Sequence, residues 1–93
     1  MMDSAAFQAI VQGRVQGVYY RDFTAGNAVR LGLTGYVHNL PGGSVEIHAE
    51  GTRKQLETLA ELLKEGPPNA RVDNLAITWM EYAGQYHNFS VKR

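Results

Sequence analysis

The stretch FQAIVQGRVQGVYYRDFTAGNAVRLG, residues 7–32, changes its period halfway along. Phe7, Ala9, Val11, Gly13 and Val15 alternate with Gln8, Ile10, Gln12 and Arg14, the two-residue period of a half-buried strand. Beyond Gly17 the spacing lengthens: Tyr20, Thr24, Ala28 and Leu31 make a helical stripe, and Gly32 stands where a C′ glycine would end it. A strand therefore feeds a helix through a glycine-bearing loop. Gly26, inside that helix, costs about 1 kcal/mol relative to alanine, so close backbone packing is expected there. The doubled VQG at 11–13 and 15–17 is too short to be an architectural repeat.

Downstream, Gly35, Val37 and Asn39 alternate with Thr34, Tyr36 and His38, PGG at 41–43 signals a turn, and Val45, Ile47 and Ala49 then alternate with Glu46, His48 and Glu50. Residues 33–50 read as a hairpin. Thr52 and Gln55 form a capping box for a second helix, with Leu56, Leu59, Ala60 and Leu63 as its packing stripe and GPP at 66–68 as its stop. From Val72 the chain is extended again, with Leu75, Ile77 and Trp79 turned inward and Trp79 packed under a helix. A short last strand carries Phe89 and Val91 on one face. The order strand, helix, strand, strand, helix, strand predicts an α+β fold, the ferredoxin-like βαββαβ sandwich, with two helices on one face of a mostly antiparallel sheet of four to five strands. Residues 1–93 are expected to form a single domain.

Composition narrows the function. Nine Lys and Arg balance nine Asp and Glu, so the broad positive field of a sequence-independent nucleic-acid binder is missing. There is no cysteine, hence no thiolate nucleophile. The start carries an acidic residue where a leader would be basic, and no apolar run is long enough to span a bilayer. A cytoplasmic protein without membrane or nucleic-acid partners, and a monomer, is expected.

The first crossover can do chemistry. Where a glycine loop enters a helix, successive backbone N–H groups converge and the helix dipole favours negative charge, so a tetrahedral oxyanion fits there. Arg21 sits at that helix start, the unfavourable end for a cation unless an anion accompanies it. Its planar fork matches two phosphate oxygens. Gly17 is the position where positive φ or close approach of an anion is expected. The plainer reading of Gly13 and Gly17 is a tight turn, and of Val18, Tyr19 and Tyr20 a set of core plugs, which suits Tyr20 best. No Lys-Ser or Lys-Thr pair follows the glycines as in a Walker loop, so the site implied is free of metal. His38, His48 and His87 lack compact ligand spacing, and Glu46 and Glu50 read as a solvated sheet face.

The segments GRVQGVYYR at 13–21, LGLTGYVHN at 31–39, GSVEIHAEG at 43–51 and GPPNARVDNLAITW at 66–79 together resemble the acylphosphatase family over nearly the whole chain. That resemblance implies hydrolysis of the carboxyl-phosphate bond of a small acyl phosphate, without metal or cofactor. By it Arg21 binds the substrate phosphate together with the backbone amides of Gln16, Gly17, Val18, Tyr19 and Tyr20, and Asn39 orients the attacking water. From the residues alone the favoured reading of Asn39 is a turn residue before Leu40 and Pro41. The family commonly has Phe at the position of Tyr20, Trp at that of Tyr36, and Asp-Gly where PGG stands. Two other readings compete: a non-catalytic anion-binding module of the same fold, and an RNA-recognition module. Against the second, Ser44, Glu46, His48 and Glu50 occupy the strand that would carry exposed aromatics. Hydrogenase maturation factors carry an acylphosphatase-like domain at their start; with one domain and no zinc-finger cysteines, this chain is expected to be free-standing.

Overall fold

The computed structural model describes residues 3–93. Its elements follow the expected order: β1 (Ser4–Arg14), α1 (Tyr20–Arg30), β2 (Thr34–Asn39), β3 (Val45–Thr52), α2 (Arg53–Glu65), β4 (Arg71–Met80) and β5 (Phe89–Lys92). The five strands form one sheet in the order β4-β1-β3-β2-β5. All pairs are antiparallel except β2 with β5, so the last strand extends the sheet beyond the four of the split unit. The α+β, ferredoxin-like expectation holds.

One face of the sheet carries the apolar alternation. Phe7, Ala9, Val11, Val37, Val45, Ile47 and Ala49 are fully buried, together with Leu56, Leu59 and Leu63 of α2 and Ala28 of α1. Burial of such side chains, at about 1.5–3 kcal/mol each, is what holds the helices to the sheet. Local signals set where each helix begins and ends. Helix α1 closes in a Schellman motif, in which the Leu33 N–H donates to Ala28 O and the Gly32 N–H to Val29 O, with Gly32 at φ 74°. The Thr52 hydroxyl caps α2 by accepting from the Gln55 N–H, and the Gln55 side chain turns back onto that hydroxyl.

Four expectations need correction. A Cβ at Gly26 would meet nothing within 4 Å, so this exposed helical glycine is not a packing contact. Gly13 is not a turn residue: it lies in β1 at the bulge against β4, where a Cβ would fall 2.1 Å from Arg71 O. Trp79 is 37% exposed; β4 is an edge strand, so its inward side chains are only half covered. The indole packs edge-on against Phe7 and lies under the Arg53 guanidinium. The helix-free face is also less solvated than its polar residues suggest. Glu50 is 1% exposed, because the connection from β4 to β5 folds back over it: Ala83 and Gly84 donate their N–H groups to its carboxylate at 3.2 and 3.1 Å. Tyr86 lies against Tyr36 and His48 on the same face.

Candidate active site

Between the end of β1 and the start of α1 the chain makes a loop whose backbone is unusual at two points. Gly17 has φ 75° and Tyr19 φ 65°. The glycine adopts this conformation without penalty, whereas a tyrosine in the left-handed region costs on the order of 1–3 kcal/mol. Val18 and Tyr20 point into the core on either side, but Tyr19 is 76% exposed, so the expectation of three core plugs is right for two residues and wrong for Tyr19. Its left-handed backbone lets the Val18 and Tyr20 side chains anchor the loop on either side of it. Among the described residues, no backbone N–H of residues 16–20 donates to a protein acceptor. Tyr19, the N-cap residue, supplies no side-chain cap to α1 either.

A cleft of about 310 Å³ opens at this loop, lined by Val15, Gly17, Tyr19, Tyr20, Arg21, Asp22 and Arg93. Arg21 is half-buried there, and its Nη1 donates to Lys92 O at 3.3 Å, so the last strand steadies the guanidinium. Arg93 brings a second cation to the same wall. No spacing signal could have found it: Arg21 and Arg93 line one cleft because β5 pairs in parallel beside β2 and brings the end of the chain there.

Asn39 ends β2, opposite Val45. It is not among the residues lining the cleft, but its Oδ1 is buried with no hydrogen-bond partner. An unpartnered buried acceptor costs about 1–3 kcal/mol unless water or a ligand meets it. The loop and this strand end are tied together by Gln16, whose Nε2 donates to Leu40 O at 2.9 Å and Ser44 O at 2.8 Å. That side-chain role was not legible in the sequence, where Gln16 counts only for its backbone.

The other candidates resolve into pairs. His38 Nε2 lies 3.2 Å from Glu46 and His48 Nε2 3.5 Å from Glu50, and Glu46 also accepts from Gln8. His87 is exposed. Among the described residues no three His, Asp or Glu side chains converge as metal ligands. No described helix is long and apolar enough to cross a membrane.

The comparisons with known proteins agree with one another. Residues 7–91 match the family model described as Acylphosphatase. An acylphosphatase from Dehalococcoides mccartyi is 46% identical over 91% of this chain and 94% of its own length. The crystal structure of the acylphosphatase from Bacillus subtilis superposes with a TM-score of 0.92 at 36% identity, covering 96% of this chain and 99% of that one. Full-length HypF contains a similar unit, with a TM-score of 0.90 and 30% identity, over 100% of this chain but 12% of HypF.

Proposed function

The chain belongs to the acylphosphatase family and is an enzyme of that class; from that premise we infer that it cleaves the carboxyl-phosphate bond of small acyl phosphates, giving a carboxylate and inorganic phosphate, with no metal in the step. The observation that carries this reading is the loop of residues 16–20, whose amides are uncommitted beside the half-buried Arg21 guanidinium. In this reading the amides of Gln16, Gly17, Val18, Tyr19 and Tyr20 and the fork of Arg21 hold the phosphoryl oxygens.

Phosphoryl transfer spreads charge over the equatorial oxygens and is accelerated mainly by positioning and electrostatics. Preorganised N–H donors and a guanidinium supply both. The leaving carboxylate has a conjugate acid of pKa about 4, so it departs without a protein acid. Asn39 does not titrate; its unpartnered Oδ1 accepts a hydrogen from the attacking water and aims its lone pair at phosphorus. As part of the same reading, residues 1–93 act as one domain, a cytoplasmic monomer that needs no cofactor, nucleic acid or membrane.

The test is hydrolysis of acetyl phosphate in excess chelator by wild type, Arg21→Ala and Asn39→Ala. Wild type turns over, folded Arg21→Ala loses on the order of 10²- to 10³-fold, the usual effect of removing one transition-state donor, and folded Asn39→Ala loses on the order of 10²-fold because the attacking water is no longer aimed. A folded wild type that hydrolyses no small acyl phosphate would overturn the catalytic reading and leave the loop as an anion-binding module.

A further inference from the structure

The two halves of the site sit on strands that do not touch. The phosphate loop follows β1 and Asn39 ends β2, and in the sheet β3 lies between them. No ladder of backbone hydrogen bonds therefore sets the distance from the loop to Asn39 directly. Among the described residues, the side chain that bridges the gap by hydrogen bonds is that of Gln16. Its Nε2 reaches Leu40 O at 2.9 Å and Ser44 O at 2.8 Å, the two ends of a turn that closes on itself through Leu40 N–H to Ser44 O at 2.9 Å and Gly43 N–H to Leu40 O at 3.3 Å. Leu40 immediately follows Asn39.

We propose that Gln16 is a positioning residue, whose side-chain amide clasps the β2–β3 turn to the phosphate loop and so fixes the water held by Asn39 in line with the bound phosphoryl group. The proposal rests on the reading of Asn39 given above. The chemistry of the clasp is particular. A primary amide nitrogen carries two hydrogens for two carbonyls and no charge. A carboxylate would face both carbonyls without a donor, and a lysine would add a cation that competes for the phosphate. In-line attack tolerates little error: reacting atoms must lie within about 3–3.5 Å, and a displacement of about 1 Å costs on the order of 10²-fold in rate. Since Arg21 and the loop amides grip the phosphate without Gln16's side chain, losing the clasp should affect turnover far more than phosphate binding.

Steady-state hydrolysis of acetyl phosphate, with inorganic phosphate as competitive inhibitor, tests this in Gln16→Met, Gln16→Glu, Asn39→Ala and the Gln16→Met/Asn39→Ala double variant, each checked for folding by circular dichroism and urea unfolding. In Gln16→Met, kcat is expected to fall on the order of 10- to 100-fold while the inhibition constant for phosphate changes less than about threefold. In the Asn39→Ala background the same substitution should cost almost nothing, because the group it positions is already gone. Gln16→Glu should recover activity relative to wild type as pH falls, because its protonated carboxyl regains one donor; should Gln16→Met fail to fold, this pH profile carries the test. Losses that multiply in the double variant, or a weakening of phosphate inhibition that matches the loss of kcat, would overturn the clasp. An Asn39→Ala enzyme with wild-type kcat would instead overturn the water-holding reading, and the clasp with it.

Discussion

Tyr20 shows how one side chain reconciles a helix end with a proline. Leu63 O, in the last turn of α2, would ordinarily accept from the N–H four residues on, but that residue is Pro67, which has none. The Tyr20 hydroxyl donates to Leu63 O instead, at 2.6 Å, and the ring packs where a Cβ at Gly66 would lie 3.1 Å from Cε2. A phenylalanine at this position would leave that carbonyl unpaired. Tyr20→Phe is therefore expected to lose about 1–3 kcal/mol of stability, read as a lower urea midpoint, with kcat within about twofold of wild type. The hydroxyl also leaves a signature at high pH. Burial raises its pKa above the ordinary value of 10.0, so the folded state retains a proton that the unfolded chain releases. The stabilisation is complete below pH about 10 and declines as pH rises from there through the folded-state pKa, by up to about 1.4 kcal/mol per pH unit. Tyr20→Phe should flatten that alkaline decline; an equally steep decline in the variant would assign it to other groups.

At the scale of elements, the glycines separate what a sequence can and cannot say. The stripe Tyr20, Thr24, Ala28 located α1 and Gly32 located its end, because period and cap are local properties. Gly26 misled, since a glycine in a helix looks the same whether its missing Cβ faces a neighbour or water, and only the tertiary structure distinguishes them. Gly26→Ala has open space and should gain about 0.5–1 kcal/mol without altering activity. Gly35 is the opposite case. It lies in β2 with φ 136°, and a Cβ there would fall 1.8 Å from His48 O of the paired strand. Gly35→Ala must break the β2–β3 pairing or shift its register, and is expected to cost at least about 3 kcal/mol. Urea unfolding of the two alanine variants side by side checks both signs, and equal midpoints would contradict the packing described.

Over the whole molecule, the order of elements was legible because strand and helix periods alternate cleanly, and those same periods put Arg21 in the first turn of α1 and Asn39 at the end of β2. What was not legible depends on pairs far apart in sequence: Gln16 with the turn at 40–44, Arg93 with the cleft, and Glu50 with the 81–88 connection. Glu50 reads as a solvated residue of an alternating strand, yet its carboxylate is the buried anchor for Ala83 and Gly84. That anchor bears on the site, because the connection leads into β5, whose Lys92 carbonyl accepts from Arg21. Tyr86 shares the task by packing on Tyr36 and His48. Removing the acceptor in Glu50→Ala strands two N–H groups under the connection and should cost about 1.5–3 kcal/mol; Glu50→Gln, which keeps one acceptor oxygen, should cost less. Amide hydrogen exchange gives the local reading. Protection should fall first at Ala83 and Gly84 and then along Phe89–Lys92, while the buried strands β1 and β3 keep theirs. If exchange at 83–84 and in β5 is unchanged in Glu50→Ala, the connection is held by Tyr86 packing and the β2–β5 ladder, and the buried carboxylate contributes nothing to placing the strand that steadies Arg21.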